Sequence, residues 1–106
     1  MVNMELFEMA VAALSAEFPA DERGRMLRSP GIKTSGKFYA FATSADLVVK
    51  LPAARVAELV ATGIGRPCEP RPGRPMREWV RVVPADDAAC LAYLREARAF
   101  VAFLTR

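Results

Sequence analysis

The sequence contains no histidine, one tryptophan and two cysteines. Without imidazole there is no side chain whose ordinary pKa lies near neutrality, no histidine-activated serine or cysteine nucleophile, and no histidine metal ligand. Two thiols alone cannot complete a four-ligand structural zinc site within one chain. Cys68 and Cys90 make at most one disulfide, far from the density of a disulfide-stapled scaffold. No apolar run approaches the ~18 residues that mark a membrane span. Met1 to Ala10 holds Glu5 and Glu8 but no base, unlike a secretory signal. Phosphate-cradling Gly-x-x-x-x-Gly-Lys and Gly-x-Gly-x-x-Gly are missing, and Gly63-Ile64-Gly65 follows an expected helix, the wrong order for a dinucleotide turn. Asp86 and Asp87 are adjacent and explained by helix capping, so no paired-carboxylate hydrolase site emerges. Together these absences point to a cytoplasmic protein with reduced thiols, no membrane anchor, no metal, no cofactor and no enzymatic activity.

What is present is the composition of a folded domain. Of 106 residues, 53% are hydrophobic and 25% charged, which excludes intrinsic disorder and low-complexity architecture. The length suits one domain, residues 1–106. The net charge of +3 conceals a segregation. Residues 1–22 hold five acids and no base, residues 23–81 hold twelve bases against four acids, and residues 82–106 balance at three each. Twelve of the fifteen bases are arginine, the side chain best suited to bidentate contact with phosphate or carboxylate. A basic middle of this kind fits either a nucleic-acid or acidic-partner surface or an ordinary solvated one.

Hydrophobic spacing sets the elements. Phe7, Val11, Leu14 and Phe18 fall on one helical face and predict a helix from about Met4 to Phe18, capped by Asn3 and ended by Pro19. Asp21 to Arg25 reads as a polar turn, Met26-Leu27 as a short strand, and Ser29-Pro30-Gly31 and Ser35-Gly36 as breaks. Lys37 to Thr43 predicts a central strand, with Phe38, Ala40 and Ala42 on one side and Tyr39, Phe41 and Thr43 on the other. A three-residue tip, Ser44-Ala45-Asp46, then leads into a second strand, Leu47 to Leu51. Pro52 opens a short helix through Val56, Leu59 and Val60 that Gly63 stops. Gly65 to Pro75, with four prolines, is an extended loop or at most an edge strand. Met76 to Val83 resumes as a strand. Asp86 and Asp87 open a last helix whose stripe is Cys90, Leu94, Ala97, Val101 and Leu104, broadened by Leu91, Phe100 and Phe103. The order α–β–β–α–β–α with hairpin-scale connections predicts an α+β fold of two layers: an antiparallel β-sheet packed with N-terminal, middle and C-terminal helices.

Several of these segments resemble a known family. Leu47-Val48-Val49-Lys50-Leu51-Pro52, Arg55-Val56, Glu58-Leu59, Gly65-Arg66-Pro67 and Gly73-Arg74-Pro75-Met76-Arg77-Glu78-Trp79-Val80 are similar to the N-terminal domain of the TfoX/Sxy family in its stand-alone, single-domain bacterial form. Ser29 to Ala40 is similar to the family's Met-Phe-Gly segment and following strand, with Met26-Leu27-Arg28 standing where Met-Phe-Gly is usual. The resemblance implies a sandwich of antiparallel sheet and helices, related to YjbR-like folds, and a regulatory role named for competence regulators. It carries over no catalytic residue.

The candidate contacts for nucleic acid or an acidic partner are Lys50, Arg66, Arg71, Arg74, Arg77 and Arg81. Most of these cations ride a proline-stiffened loop that loses little entropy on binding. Each also has a plain reading as a solvated charge. Trp79, between Arg77 and Arg81, either stacks a base or packs in the sheet. With Phe100 and Phe103 it forms the candidate interaction surface. The broad apolar face of the last helix offers a rival function, homodimerisation or protein binding without nucleic acid.

Overall fold

The computed structural model describes residues 2–26, 28–69, 73 and 76–106. The chain runs α1 (Val2–Glu17), β1 (Glu22–Met26), β2 (Ser29–Thr34), β3 (Lys37–Ala42), β4 (Leu47–Lys50), α2 (Ala53–Ala61), β5 (Gly65–Pro67), β6 (Trp79–Val82), α3 (Asp87–Leu104). The architecture is α+β. Six strands pair antiparallel in the order β1-β2-β3-β4-β6-β5. One face of this sheet carries the helices. Phe7, Val11 and Leu14 of α1, Val56 and Leu59 of α2, and Cys90, Leu94, Ala97 and Val101 of α3 pack on Ile32, Ala40, Ala42, Leu47, Val49, Val80 and Val82. The opposite face holds a smaller cluster, Phe41, Val48 and Trp79, joined by Met26, Phe38 and Cys68.

Local chemistry explains the boundaries. Asp86 caps α3 by accepting a hydrogen bond from Ala89 N at 2.8 Å, and Asp87 adds negative charge to the first turn. Thr62 closes α2 and Gly63 follows at φ +78°, the left-handed residue that ends many helices. Ser35 and Gly36, both at positive φ (51° and 77°), form the two-residue turn between β2 and β3. That handedness matches the twist of the flanking strands.

The structure corrects the sequence reading at several points. Asn3 is not a cap, because α1 already begins at Val2. Its amide instead donates to Thr43 O (2.6 Å) and Asp46 O (3.0 Å), fastening α1 to the β3–β4 turn. Glu22 to Arg25 is edge strand and not turn, and Ser29-Pro30-Gly31 opens β2 and does not break the chain. An edge strand with only Gly24 and Met26 half-buried leaves no alternation to detect. In β3 the pairing slips by one residue, Ile32 facing Ala40 and Lys33 facing Phe38, so Tyr39 is the extra residue of a bulge. The slip sends Tyr39 to the helix side with Ala40 and Phe38 to the other side with Phe41, against simple alternation. Gly24 and Gly31 lie beneath the Phe38 ring, and a Cβ on Gly31 would stand 2.8 Å from it. The last strand begins at Trp79 and not Met76, since Met76 O accepts a turn hydrogen bond from Trp79 N. Leu104 is 49% exposed and drops out of the expected α3 core stripe, which ends at Val101.

Candidate functional site

Among the described residues, the face without helices gathers three of the sequence-predicted cations, Lys50, Arg66 and Arg81. Register places Phe41, Val48, Arg81 and Arg66 in one row across β3, β4, β6 and β5, and Lys50 beside Trp79 in a neighbouring row. Paired residues of adjacent strands project to the same side, so these side chains share one surface. Phe41 and Trp79 meet in a tilted pair with ring centroids 5.6 Å apart, and Lys50 Nζ sits 5.5 Å above the Trp79 ring.

At the end of this row lies Asp46, a residue of the β3–β4 turn whose side chain is 1% exposed. The turn builds the site. Thr43 N donates to Asp46 O (2.9 Å), Thr43 Oγ1 accepts from Asp46 N (3.0 Å) and donates to Asp46 Oδ1 (2.6 Å). Two guanidinium groups then converge on one carboxylate: Arg66 Nη2 at 3.3 Å and Arg81 Nε at 2.8 Å, both to Oδ2. Arg81 Nη2 reaches Oδ1 at 3.5 Å. The Arg81 Nε contact is an ion pair without a hydrogen bond, because the oxygen lies off the N–H axis. Nε is the buried side-chain polar atom left without a hydrogen-bond partner among the described residues. Two positive charges on one negative leave the cluster with a formal excess of +1.

Beside the cluster is a cavity of about 560 Å³ whose walls are Phe41, Val48, Trp79, Met26, Cys68 and Met76, with Thr43, Ser29 and Arg81 supplying its polar side and Glu69 also lining it. That volume falls in the range of about 300–1,000 Å³ typical of small-molecule sites. Burial pushes the Cys68 thiol up from its ordinary range, with Arg81 working against that and Asp46 adding to it. A thiol held protonated is a poor nucleophile. The site therefore sets cationic side chains beside an apolar floor. Among the described residues no group of three Cys, Asp or Glu side chains comes close enough to hold a metal ion.

The sequence-predicted residues divide between two places. Lys50, Arg66, Arg81 and Trp79 come together on the open face. Lys50 is shared with Glu78, Nζ to Oε1 at 3.3 Å, and Arg77 is exposed in the turn before β6 with no ion pair among the described residues. Arg71 and Arg74 lie outside the described residues. Trp79 is 8% exposed, so its ring forms a floor and offers no free stacking face. Phe100 and Phe103 sit apart on α3: Phe100 is half-buried, while Phe103 is exposed beneath the Arg106 guanidinium at 4.2 Å. Among the described residues the acids of α1 do not pair with Arg66, Arg77 or Arg81; Glu8 pairs with Arg23 (2.6 Å) and Glu17 with Arg95 (2.7 Å). Sequence reasoning placed Asp46 at a solvated loop tip and missed its role. The available signal was Thr43 three residues before it, the spacing of a side-chain-closed turn. Comparison of this chain with family models, curated proteins and solved structures finds no match.

Proposed function

We propose that the protein is a non-catalytic cytoplasmic binding module, regulatory in role, that holds an acidic partner on the helix-free face of its sheet. The observation that carries this reading is the Asp46 cluster, where one buried carboxylate anchors two arginines and leaves positive charge in excess. Lys50 extends the same cationic surface, and Arg77 lies beside Lys50 and Trp79 around a neighbouring shallow cavity. An acidic polypeptide suits this face better than nucleic acid. Trp79 lacks the exposed ring that base stacking uses, and Lys50 and Arg81 already share carboxylates. The regulatory part of the reading is carried only by the resemblance of the Leu47–Pro52 and Gly73–Val80 segments to TfoX/Sxy N-terminal domains.

Fluorescence anisotropy with a labelled acidic peptide and with single- and double-stranded oligonucleotides, at low and physiological salt, tests it. The expected result is peptide binding that weakens with salt and falls about tenfold in Arg66→Glu or Arg77→Glu. Tighter binding to oligonucleotides, with a steep salt slope, would transfer the site to nucleic acid. No binding to either removes the proposal. The exposed Phe103 and Leu104 favour a second reading, self-association through α3. Light scattering decides it: a dimer that Phe103→Glu converts to monomer without loss of fold supports it, and a monomer at all concentrations rejects it.

A further inference from the structure

We infer that the cavity on the helix-free face is a binding site for a small apolar carboxylic acid, whose hydrocarbon part lies on Phe41, Val48 and Trp79 and whose carboxylate meets Arg81. The inference rests on the reading of that face as a binding surface, and it names a second, smaller occupant there.

Three observations converge on this chemistry. The cavity is a half-open space of about 560 Å³ with an apolar floor, a size typical of small-molecule sites. Its charged wall residue, Arg81, belongs to a cluster in which Asp46 is shared by two guanidinium groups, so one positive charge has no carboxylate of its own. Arg81 Nε meets Asp46 Oδ2 at 2.8 Å off the N–H axis, so the ion pair is made there without an aligned hydrogen bond. A ligand carboxylate drawing the guanidinium a little from Asp46 would satisfy that donor, while Arg66 and Thr43 continue to hold Asp46. The Ser29 side chain on the same wall provides a further hydroxyl donor. Glu69 also lines the cavity, but it is exposed, so solvent screens its repulsion of an anion. A neutral apolar ligand would leave the unaligned donor as it is, and a cationic one would face Arg81 directly.

The protein reports on this site itself, because its only tryptophan forms the cavity floor. Octanoate, octanol and octylamine are titrated against the intact chain while Trp79 emission is followed. Octanoate is expected to give a saturable change, with octanol about tenfold weaker, the worth of one charge-assisted hydrogen bond, and octylamine weaker still. Arg81→Gln should bring octanoate down to the octanol level, whereas Glu69→Gln should leave it within about twofold of the natural sequence. Val48→Phe fills the cavity and should abolish the response with a retained cooperative melt; if that variant does not fold, Cys68→Phe at the rim serves instead. Equal response to all three ligands, an unchanged Arg81→Gln, or no saturable change overturns the inference. Salt-sensitive binding of the acidic peptide with no response to octanoate rejects this inference alone and leaves the proposed function standing. An octanoate response without peptide binding does the reverse.

Discussion

Two buried aspartates, Asp21 and Asp46, face arginines in this molecule, and they are arranged in opposite ways. Asp21, 3% exposed, accepts from Arg98 Nε (2.7 Å) and Nη2 (3.1 Å) and from the Tyr39 hydroxyl (3.0 Å). Arg98 in turn stacks on Phe18, 3.5 Å from the ring centroid. One acid meets one base, each with its hydrogen bonds made, and the group ties α3 to the α1–β1 connection and to β3. Asp46 is as deeply buried but serves two arginines, one of which keeps an unmade hydrogen bond. The first arrangement is a closed clamp between layers. The second has capacity left over at the wall of a cavity. A buried ion pair by itself says little about stability or function; its stoichiometry and its unmet donors separate the two roles here.

The contrast can be broken from either side. Removing the base from the closed clamp has the largest expected effect: Arg98→Met strands a buried carboxylate and should cost about 3 kcal/mol, read as a lowered urea midpoint and a melting temperature down by roughly 15 °C. Asp46→Ala should cost less, about 1–2 kcal/mol, since both of its arginines already reach water. Its affinity for the acidic peptide should rise, because a neutralising charge is gone. A variant that instead loses both stability and affinity would make Asp46 a clamp like Asp21.

Acid distinguishes the sites further. Burial works to raise the Asp21 carboxyl, but hydrogen bonds from Arg98, Thr34 and Tyr39 outweigh it and hold the group below its ordinary range. Its stabilising contribution is therefore complete above the unfolded-state pKa of about 3.9 and is lost as pH falls through the lower folded value. Urea midpoints measured across that acid range should decline in the natural sequence and decline less in Asp21→Asn. The smallest effect on stability belongs to Arg66→Gln, within about 0.5 kcal/mol for so exposed a side chain, even as peptide binding drops several-fold. A large loss of stability there would show that Arg66 is structural.

Much of this architecture was legible in the residues. The α1 and α3 faces, the Asp86 cap, the Gly63 stop and the Leu47–Lys50 strand all follow from period and capping chemistry. These features are local, and local physics determines them. The edge strand β1 was hidden because it is charged and buries only glycine and methionine partway. The inversion of Phe38 and Tyr39 depends on a bulge, which is a relation between two strands and leaves no mark on the alternation of one. Arg66 and Arg81 were readable as cations, but their gathering around Asp46 depends on β5 pairing with β6 beyond β4. A loop aspartate looks solvated until the sheet that covers it is known.

The margins of the sheet decide how copies of this molecule can meet. One outer strand presents Glu22, Arg23 and Arg25, and the other is three residues long and finishes at Pro67, whose nitrogen has no hydrogen to donate. Another chain approaching from either flank would have to bury charge or forgo backbone pairing. Stacking into ribbons is thereby discouraged at both sides. Any assembly this protein enters is steered toward its two broad surfaces, where a partner covers side chains and leaves the six-stranded ladder at its present width.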